Sequence, residues 1–265
     1  MRKRNAFTLT ELLVVLGCIA VLVSLLLPVA AKARSISRAT TCLSNLRALN
    51  NAWTIYMQDN NSALLPYSWG GTQAFDTYWW GILDHEGLRG DALKCPAAYE
   101  PSLDRTRRGY GTAQIAWTGQ YAQPNISAIR LNKNQWRDGS YAYNRNLTAK
   151  NGYGRNGMAT SLLQVTAPLS EVPTFMDSAY PDIGVASPQP NTPIAMPPDV
   201  TGKYAVPGAD PKVQYGGDHW ALLIARHEKA INVAMADGSA RLVPLTDLYQ
   251  LSWKWNWQKV QLTIP

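Results

Sequence analysis

The chain has 265 residues, 46% of them hydrophobic and 16% charged. Typical soluble domains carry about 25% charged residues, so this one is charge-poor, while its 10 Trp, 13 Tyr and 3 Phe offer too much apolar area for a disordered chain. Three Cys exclude a disulfide-dense scaffold and a four-cysteine zinc site, and three His leave little room for a multi-histidine metal centre. The net charge is +7, and Arg2, Lys3 and Arg4 supply three of those charges, so a broad nucleic-acid footprint is not compelled.

After this basic start the chain reads Phe7-Thr8-Leu9-Thr10-Glu11, and the 20 residues from Leu12 to Ala31 carry no charge except for Glu11 just ahead of them. A helix of that length spans the roughly 30 Å hydrocarbon core of a bilayer. Three readings compete: a cleaved secretory signal, a plain anchor, or a processed leader with an apolar stalk. Ala31-Lys32-Ala33 resembles a small-residue cleavage site. Against a signal peptide, the apolar run exceeds the usual length of about 7–15 residues. Glu11 at its edge is costly in lipid without a partner.

The string Ala6-Phe7-Thr8-Leu9-Thr10-Glu11, followed by an apolar helix with Pro28, resembles the type IV prepilin and pseudopilin leader. The resemblance implies cleavage between Ala6 and Phe7 by a membrane prepilin peptidase that methylates the new amine. Ala6 stands where the family usually has Gly. Glu11 matches the family's glutamate, and Pro28 matches a frequent helix-kinking proline. Basic Arg2, Lys3 and Arg4 keep the leader on the cytoplasmic side. Glu11 then meets the amine of Phe7 on a neighbouring subunit during filament assembly; the alternative is a Glu snorkelling at the interface.

Beyond the membrane segment, Ile36, Leu43, Leu46, Trp53 and Tyr56 form an amphipathic stripe that should lie on a globular head. Asn60-Asn61-Ser62 and Pro66 end the pattern. A helix from Phe7 to about Asp59 would be roughly 80 Å long, bent near Pro28. Later residues alternate short apolar stretches with turns, and ten prolines between Pro168 and Pro211 predict loop or irregular edge there. Ile231, Val233 and Met235 alternate with Asn232, Ala234 and Ala236, and Asp237-Gly238 then predicts a β-hairpin with a two-residue, positive-φ turn. Trp253, Trp255 and Trp257 would share one face of an extended strand.

A second resemblance rests on Cys42-Leu-Ser-Asn-Leu-Arg47, Tyr56-Met-Gln-Asp59-Asn60, Leu65-Pro66, Cys95-Pro96, and His227 followed after nine residues by Asp237-Gly238. This looks like a pseudopilin-like group whose carboxy-terminal segment is called the H-X9-DG domain. The two resemblances cover about the first 66 residues and a span near 227–243, and the head of about 200 residues is longer than in typical major pseudopilins.

Cys42 and Cys95 are either a disulfide, if the head is exported, or two buried thiols. Cys18 lies in the apolar run as a packing residue. For His227 and Asp237 a structural reading outranks catalysis, since no nucleophile elbow or zinc-protease motif lies beside them and Asp237 suits a turn. Some major pseudopilins hold structural calcium; Asp177, Asp182 and Asp218 lie in carbonyl-rich loops, but no EF-hand spacing is present and no ligand set is assigned. The tryptophan row reads first as core, then as a subunit interface, then as a glycan platform. Arg105, Arg107 and Arg108 read as a solvated loop ahead of a DNA patch.

The expectation is an α+β, pilin-like fold: leader 1–6, a transmembrane and amphipathic helix 7–60 with its membrane part at about 12–31, and a head 61–265 built on an antiparallel sheet with long loops. The function expected is a non-enzymatic pseudopilin-like subunit of the bacterial inner membrane, single-pass, its head in the periplasm or outside. Its partners would be prepilin peptidase, other pilin-type subunits and an inner-membrane assembly platform, with type II secretion ahead of a type IV pilus or DNA uptake. No cofactor and no nucleic acid are expected. The rivals are a membrane-tethered glycan-binding protein and an envelope hydrolase using His227 and Asp237.

Overall fold

The computed structural model describes residues 8–65, 79–88, 90–98, 116–118, 138–148, 161–184, 222–254 and 257–261. The chain divides into two compact units, Met1–Arg38 and Ala39–Pro265. Helix α1 (Leu9–Asp59) contributes to both.

In the first unit α1 is apolar all round from Leu12 to Ala31. Leu12, Leu13, Val14, Leu16, Ile19, Leu22, Leu25 and Leu26 are all exposed. Water does not tolerate such a surface, whereas lipid does. Pro28 lies inside the helix and lacks an N–H, so the carbonyl of Ser24 receives no donor from it. Ser24 Oγ itself donates to Val21 O at 2.8 Å.

In the second unit α1 buries Cys42, Leu46, Leu49, Asn50, Trp53 and Met57. This stripe differs from the expected one. Leu46 and Trp53 belong to it, Leu43 and Tyr56 are its half-buried margins, and Ile36 is exposed. The true stripe includes a bonded cysteine and an asparagine, and hydropathy does not mark the asparagine as core. The helix ends as the sequence indicates: Asn60 Nδ2 donates to Tyr56 O at 2.8 Å, Ser62 N to Met57 O at 2.7 Å, and Asn61 and Ser62 take positive φ.

The head sheet has five strands in the order β5-β3-β4-β6-β7: β3 (Tyr141–Asn144), β4 (Pro173–Asp177), β5 (Asp182–Ile183), β6 (Ala230–Met235) and β7 (Ala240–Pro244). A separate two-stranded pair joins β1 (Trp117–Thr118) to β2 (Asp138–Gly139). The five-stranded sheet is mixed, which corrects the all-antiparallel expectation. The chain leaves β4, crosses the Tyr141 end of β3 with Ser178 N bonded to Ser140 O, and returns parallel to β3 as β5. Only four residues make this crossing, a link too short to show as a parallel connection in sequence.

The sheet is covered on both sides. One face sends Tyr141, Tyr143, Phe175 and Ala234 into a cluster with the α1 stripe and with Trp79 and Trp80 of helix α2 (Trp79–His85). The other sends Ala142, Met176, Ile231, Val233, Met235 and Val243 into a second cluster with Leu222, Leu245, Leu248, Tyr249 and Trp253. This is why all six residues of β6 are buried.

The β6–β7 hairpin differs from expectation by one residue. Ala234 pairs with Ala240, Met235 N donates to Ser239 O, and Gly238 N donates to Met235 O. The loop therefore has three residues, 236–238, and only Gly238 has positive φ, at +91°. A tight turn followed by one left-handed residue closes the strands. Among the described residues, neither Trp253 nor Trp257 lies in a strand. Trp253 is fully buried and donates Nε1 to Leu248 O at 2.7 Å; Trp257 is half-buried, donates to Tyr249 O at 3.0 Å and packs against that ring with the planes tilted by 39°. Residues 245–250 form a short 3₁₀ segment, and the chain folds back around it rather than extending. Trp255 lies outside the described residues.

Gly238→Ala meets no atom within 4 Å, so its cost is backbone strain alone. The expected loss is about 1–2 kcal/mol in chemical unfolding of the detergent-solubilised chain. A loss under about 0.3 kcal/mol would show that the left-handed residue is not required.

Candidate functional site

Two places carry the candidate residues. The first is the start of α1. Ala6 and Phe7 lie outside the described residues. Thr8 N and Thr8 Oγ1 both donate to Glu11 Oε2 at 2.8 Å, and Glu11 N donates to Thr8 Oγ1 at 3.3 Å. This is a capping box, which satisfies helix N–H groups that have no partner in the turn before them. Its signal is the spacing Thr8-Leu9-Thr10-Glu11, legible in the sequence but not read above as a cap. Glu11 thus has a local task besides any intersubunit one.

The second place lies in the head, where a buried node joins residues from five segments. Cys42 of α1 and Cys95 form a disulfide, with α-carbons 5.0 Å apart. His227 Nε2 sits 3.4 Å from Cys95 Sγ and 3.2 Å from Asp177 Oδ2, at the end of β4. Arg226 Nη1 lies 3.2 Å from Asp177 Oδ1 and also donates to Ser140 O, while Arg226 Nη2 donates to Ser178 O at 3.1 Å. Asn232 N, from β6, donates to Asp177 Oδ2 at 2.8 Å. All of these side chains are buried.

Burial alone would raise the pKa of Asp177. The hydrogen bond from His227, the charges of Arg226 and His227, and the Asn232 N–H together outweigh it and hold the carboxyl below its ordinary value. Burial pushes the neighbouring Tyr141 phenol well above its ordinary value, with the Asp177 charge adding to the shift, so it stays protonated.

His227 and Asp237, grouped by spacing, do separate work. His227 N donates to Ala230 O at 3.0 Å across a turn in which Glu228 and Lys229 have φ of 54° and 60°. Asp237 Oδ1 accepts from Ser239 N at 2.9 Å and Ser239 Oγ at 2.7 Å; the Ser239 side-chain bond, more than the slight burial that opposes it, lowers its pKa. The nine intervening residues resolve into a two-residue turn, the six residues of β6, and Ala236 in the next turn. The spacing is the length of one central strand with its two closures, and it does not assemble a catalytic pair.

Of the carboxylates weighed for calcium, Asp177 faces Arg226, Asp182 Oδ1 lies 3.1 Å from Arg145 Nη1, and Asp218 lies outside the described residues. Arg105, Arg107 and Arg108 lie outside them as well. Cys18 is a free, exposed thiol on the apolar part of α1. The sequence missed Arg226 and the role of Asp177. Their signal was weak, since adjacent Arg226-His227 and a lone Asp become partners only when β3, β4 and β6 pair.

The chain matches the family described as the prokaryotic N-terminal methylation motif over residues 1–27. No match was found among curated proteins or among solved structures. The matched segment covers the basic start, Ala6, Phe7 and Glu11 and most of the apolar run. It supports a type IV pilin-like amino terminus processed by prepilin peptidase, on a chain anchored in the membrane by its single long apolar helix among the described residues.

Asp177 has a lowered folded pKa, so its contribution is present above the unfolded value of about 3.9 and lost as pH falls through the folded value. The melting temperature of the head should be level from pH 7 to about 5 and fall below about pH 4. Asp177→Asn should cost about 3–5 kcal/mol at neutral pH and flatten the acid fall; an unchanged acid limb in this variant would remove Asp177 from the account.

Two non-glycine residues in left-handed conformation cost roughly 1–2 kcal/mol each. Replacing Glu228-Lys229 by Asn-Gly should therefore raise stability by about 1 kcal/mol or more in thermal unfolding. A drop would mean that the native side chains hold the turn through their own contacts.

Proposed function

We propose that this chain is a pseudopilin-like structural subunit, anchored in the inner membrane until its leader is removed and then packed by α1 into a short envelope filament, most readily one serving type II protein secretion. The observation that carries the reading is the exposed, charge-free run of α1 from Leu12 to Ala31, set directly behind Glu11 and matched by the methylation motif as far as residue 27. An apolar surface on all sides suits two successive environments, lipid and then the helices of neighbouring copies. Prepilin peptidase, other pilin-type subunits and the inner-membrane assembly platform are the partners this sequence of events needs.

The head fits a display role. Arg2, Lys3 and Arg4 favour a cytoplasmic leader, which directs the head outward. A disulfide suits an oxidising compartment. We assign the chain to the H-X9-DG group, with His227 holding the buried node and Asp237-Gly238 closing the β6–β7 loop. Burial of Trp253 favours packing over a glycan platform, and the separate tasks of His227 and Asp237 favour a non-catalytic head. A type IV pilus or DNA-uptake subunit would use the same amino terminus.

Amino-terminal mass spectrometry after co-expression with prepilin peptidase tests the class. A methylated Phe7 is expected; a terminus at Arg34, or retention of residues 1–6, would overturn it. Glu11→Gln keeps an acceptor for the Thr8 cap but removes the charge. It should be cleaved normally yet enter filaments at least tenfold less; normal incorporation would leave Glu11 as a cap alone.

A further inference from the structure

Four potential metal ligands converge in the head: Cys42, Cys95, Asp177 and His227 are all buried, and one donor atom from each lies within 4.8 Å of the others. We propose that the reduced chain binds one zinc-class divalent cation through these four side chains, and that cation binding and the Cys42–Cys95 disulfide are mutually exclusive states of one site. The inference concerns the head alone and holds whether or not the chain enters a filament.

The argument starts from edge lengths. With Zn–N of about 2.0–2.1 Å, Zn–O of about 2.0 Å and Zn–S of about 2.3 Å, a tetrahedral site has N···O edges of roughly 3.3 Å and N···S edges of roughly 3.6 Å. His227 Nε2 lies 3.2 Å from Asp177 Oδ2 and 3.4 Å from Cys95 Sγ. Both edges are therefore close to the required values before any metal enters. The sulfur pair must open to roughly 3.8 Å, and the three other edges, each already within 4.8 Å, must settle at roughly 3.5 Å. Side-chain rotation supplies this from α-carbons 5.0 Å apart.

Charge points the same way. A divalent cation with two thiolates and one carboxylate carries a net charge of about −1, and Arg226, on Asp177 Oδ1, brings the buried assembly to about zero. The same contact orients Asp177 so that Oδ2 faces His227, which is what an outer partner of a ligating carboxylate does. Neutral imidazole supplies the fourth donor through Nε2.

The chemistry balances without a hidden reactant. Both cysteines are synthesised as thiols, and cation uptake displaces their two protons to solvent. A disulfide-bearing oxidant later takes two electrons from the two thiolates. The Cys42–Cys95 bond forms, the oxidant takes up two protons and becomes a dithiol, and the cation leaves. In this order the metal holds α1 and the Cys95 loop in register until the covalent bond replaces it.

The test uses the full chain in detergent with Cys18→Ser, so that only two thiols remain, reduced by a phosphine and titrated with Co²⁺ without oxygen. The reduced protein should take up one equivalent with thiolate-to-cobalt charge-transfer absorption and the visible bands of a tetrahedral ion, and Zn²⁺ should bleach them. The oxidised protein should show neither band. His227→Gln and Asp177→Asn should each weaken cobalt binding at least tenfold. The proposal is overturned if the reduced chain shows no charge-transfer band, or if both variants bind as tightly as the parent. Should circular dichroism show that a variant does not fold, cadmium-113 NMR of the parent decides. A single resonance typical of two sulfurs with nitrogen and oxygen supports the site, and a shift typical of an all-oxygen site overturns it.

Discussion

A carboxylate removed from water organises this head. Asp177 is fully buried, and a lone buried charge of this kind would cost several kcal/mol. It is tolerated because Arg226, His227 and the backbone of Asn232 reach it at once. Those groups come from the segment ahead of β6 and from β6 itself, while Asp177 ends β4, so the charge is satisfied only when the central strands are paired. The disulfide beside it closes a sequence separation of 53 residues, a constraint on the unfolded chain that the loop-entropy relation puts at about 4 kcal/mol. Ion pair and covalent bond sit at the same point, where α1, the sheet and the Cys95 loop meet.

A second polar seam fixes how α1 lies on the sheet. Asn50 donates Nδ2 to Met235 O at 3.0 Å, and Thr174 Oγ1 lies 2.7 Å from Asn50 Oδ1. Asn45 donates to Lys94 O at 2.8 Å. An apolar stripe alone would let a helix slide or rotate by a residue at little cost, because greasy contacts have no direction. Buried amides do have direction, and a shift would leave them without partners. The irregularity in β4 between Pro173 and Met176 belongs to the same seam, since it sets Thr174 beside Asn50.

The nine-residue spacing between His227 and Asp237-Gly238 gains a physical meaning from this arrangement. Its histidine caps the entry to the strand buried on both faces, and its glycine supplies the left-handed residue that turns the chain out of it. Losing one residue between them would turn the strand's faces over, moving Ile231, Val233 and Met235 out of their cluster. The motif therefore measures a strand, and its chemistry lies in the partners that strand brings to Asp177.

The sequence by itself determined the elements whose causes are local. The charge-free run after Glu11 decides a membrane helix, Asn60 to Ser62 decide its end, and the alternation through Met235 decides a strand, because each depends on residues within a few turns of one another. Tertiary structure decided the rest. Which side of α1 is buried depends on Cys42 and Asn50, whose burial is set by a distant cysteine and by a carbonyl 185 residues away. The parallel return of β5, the folding of Trp253 and Trp257 into carbonyl contacts, and the union of Asp177 with Arg226 and His227 all join residues far apart in the chain. Nothing local announces such pairings, since a buried charge is affordable only in the company that the completed fold provides.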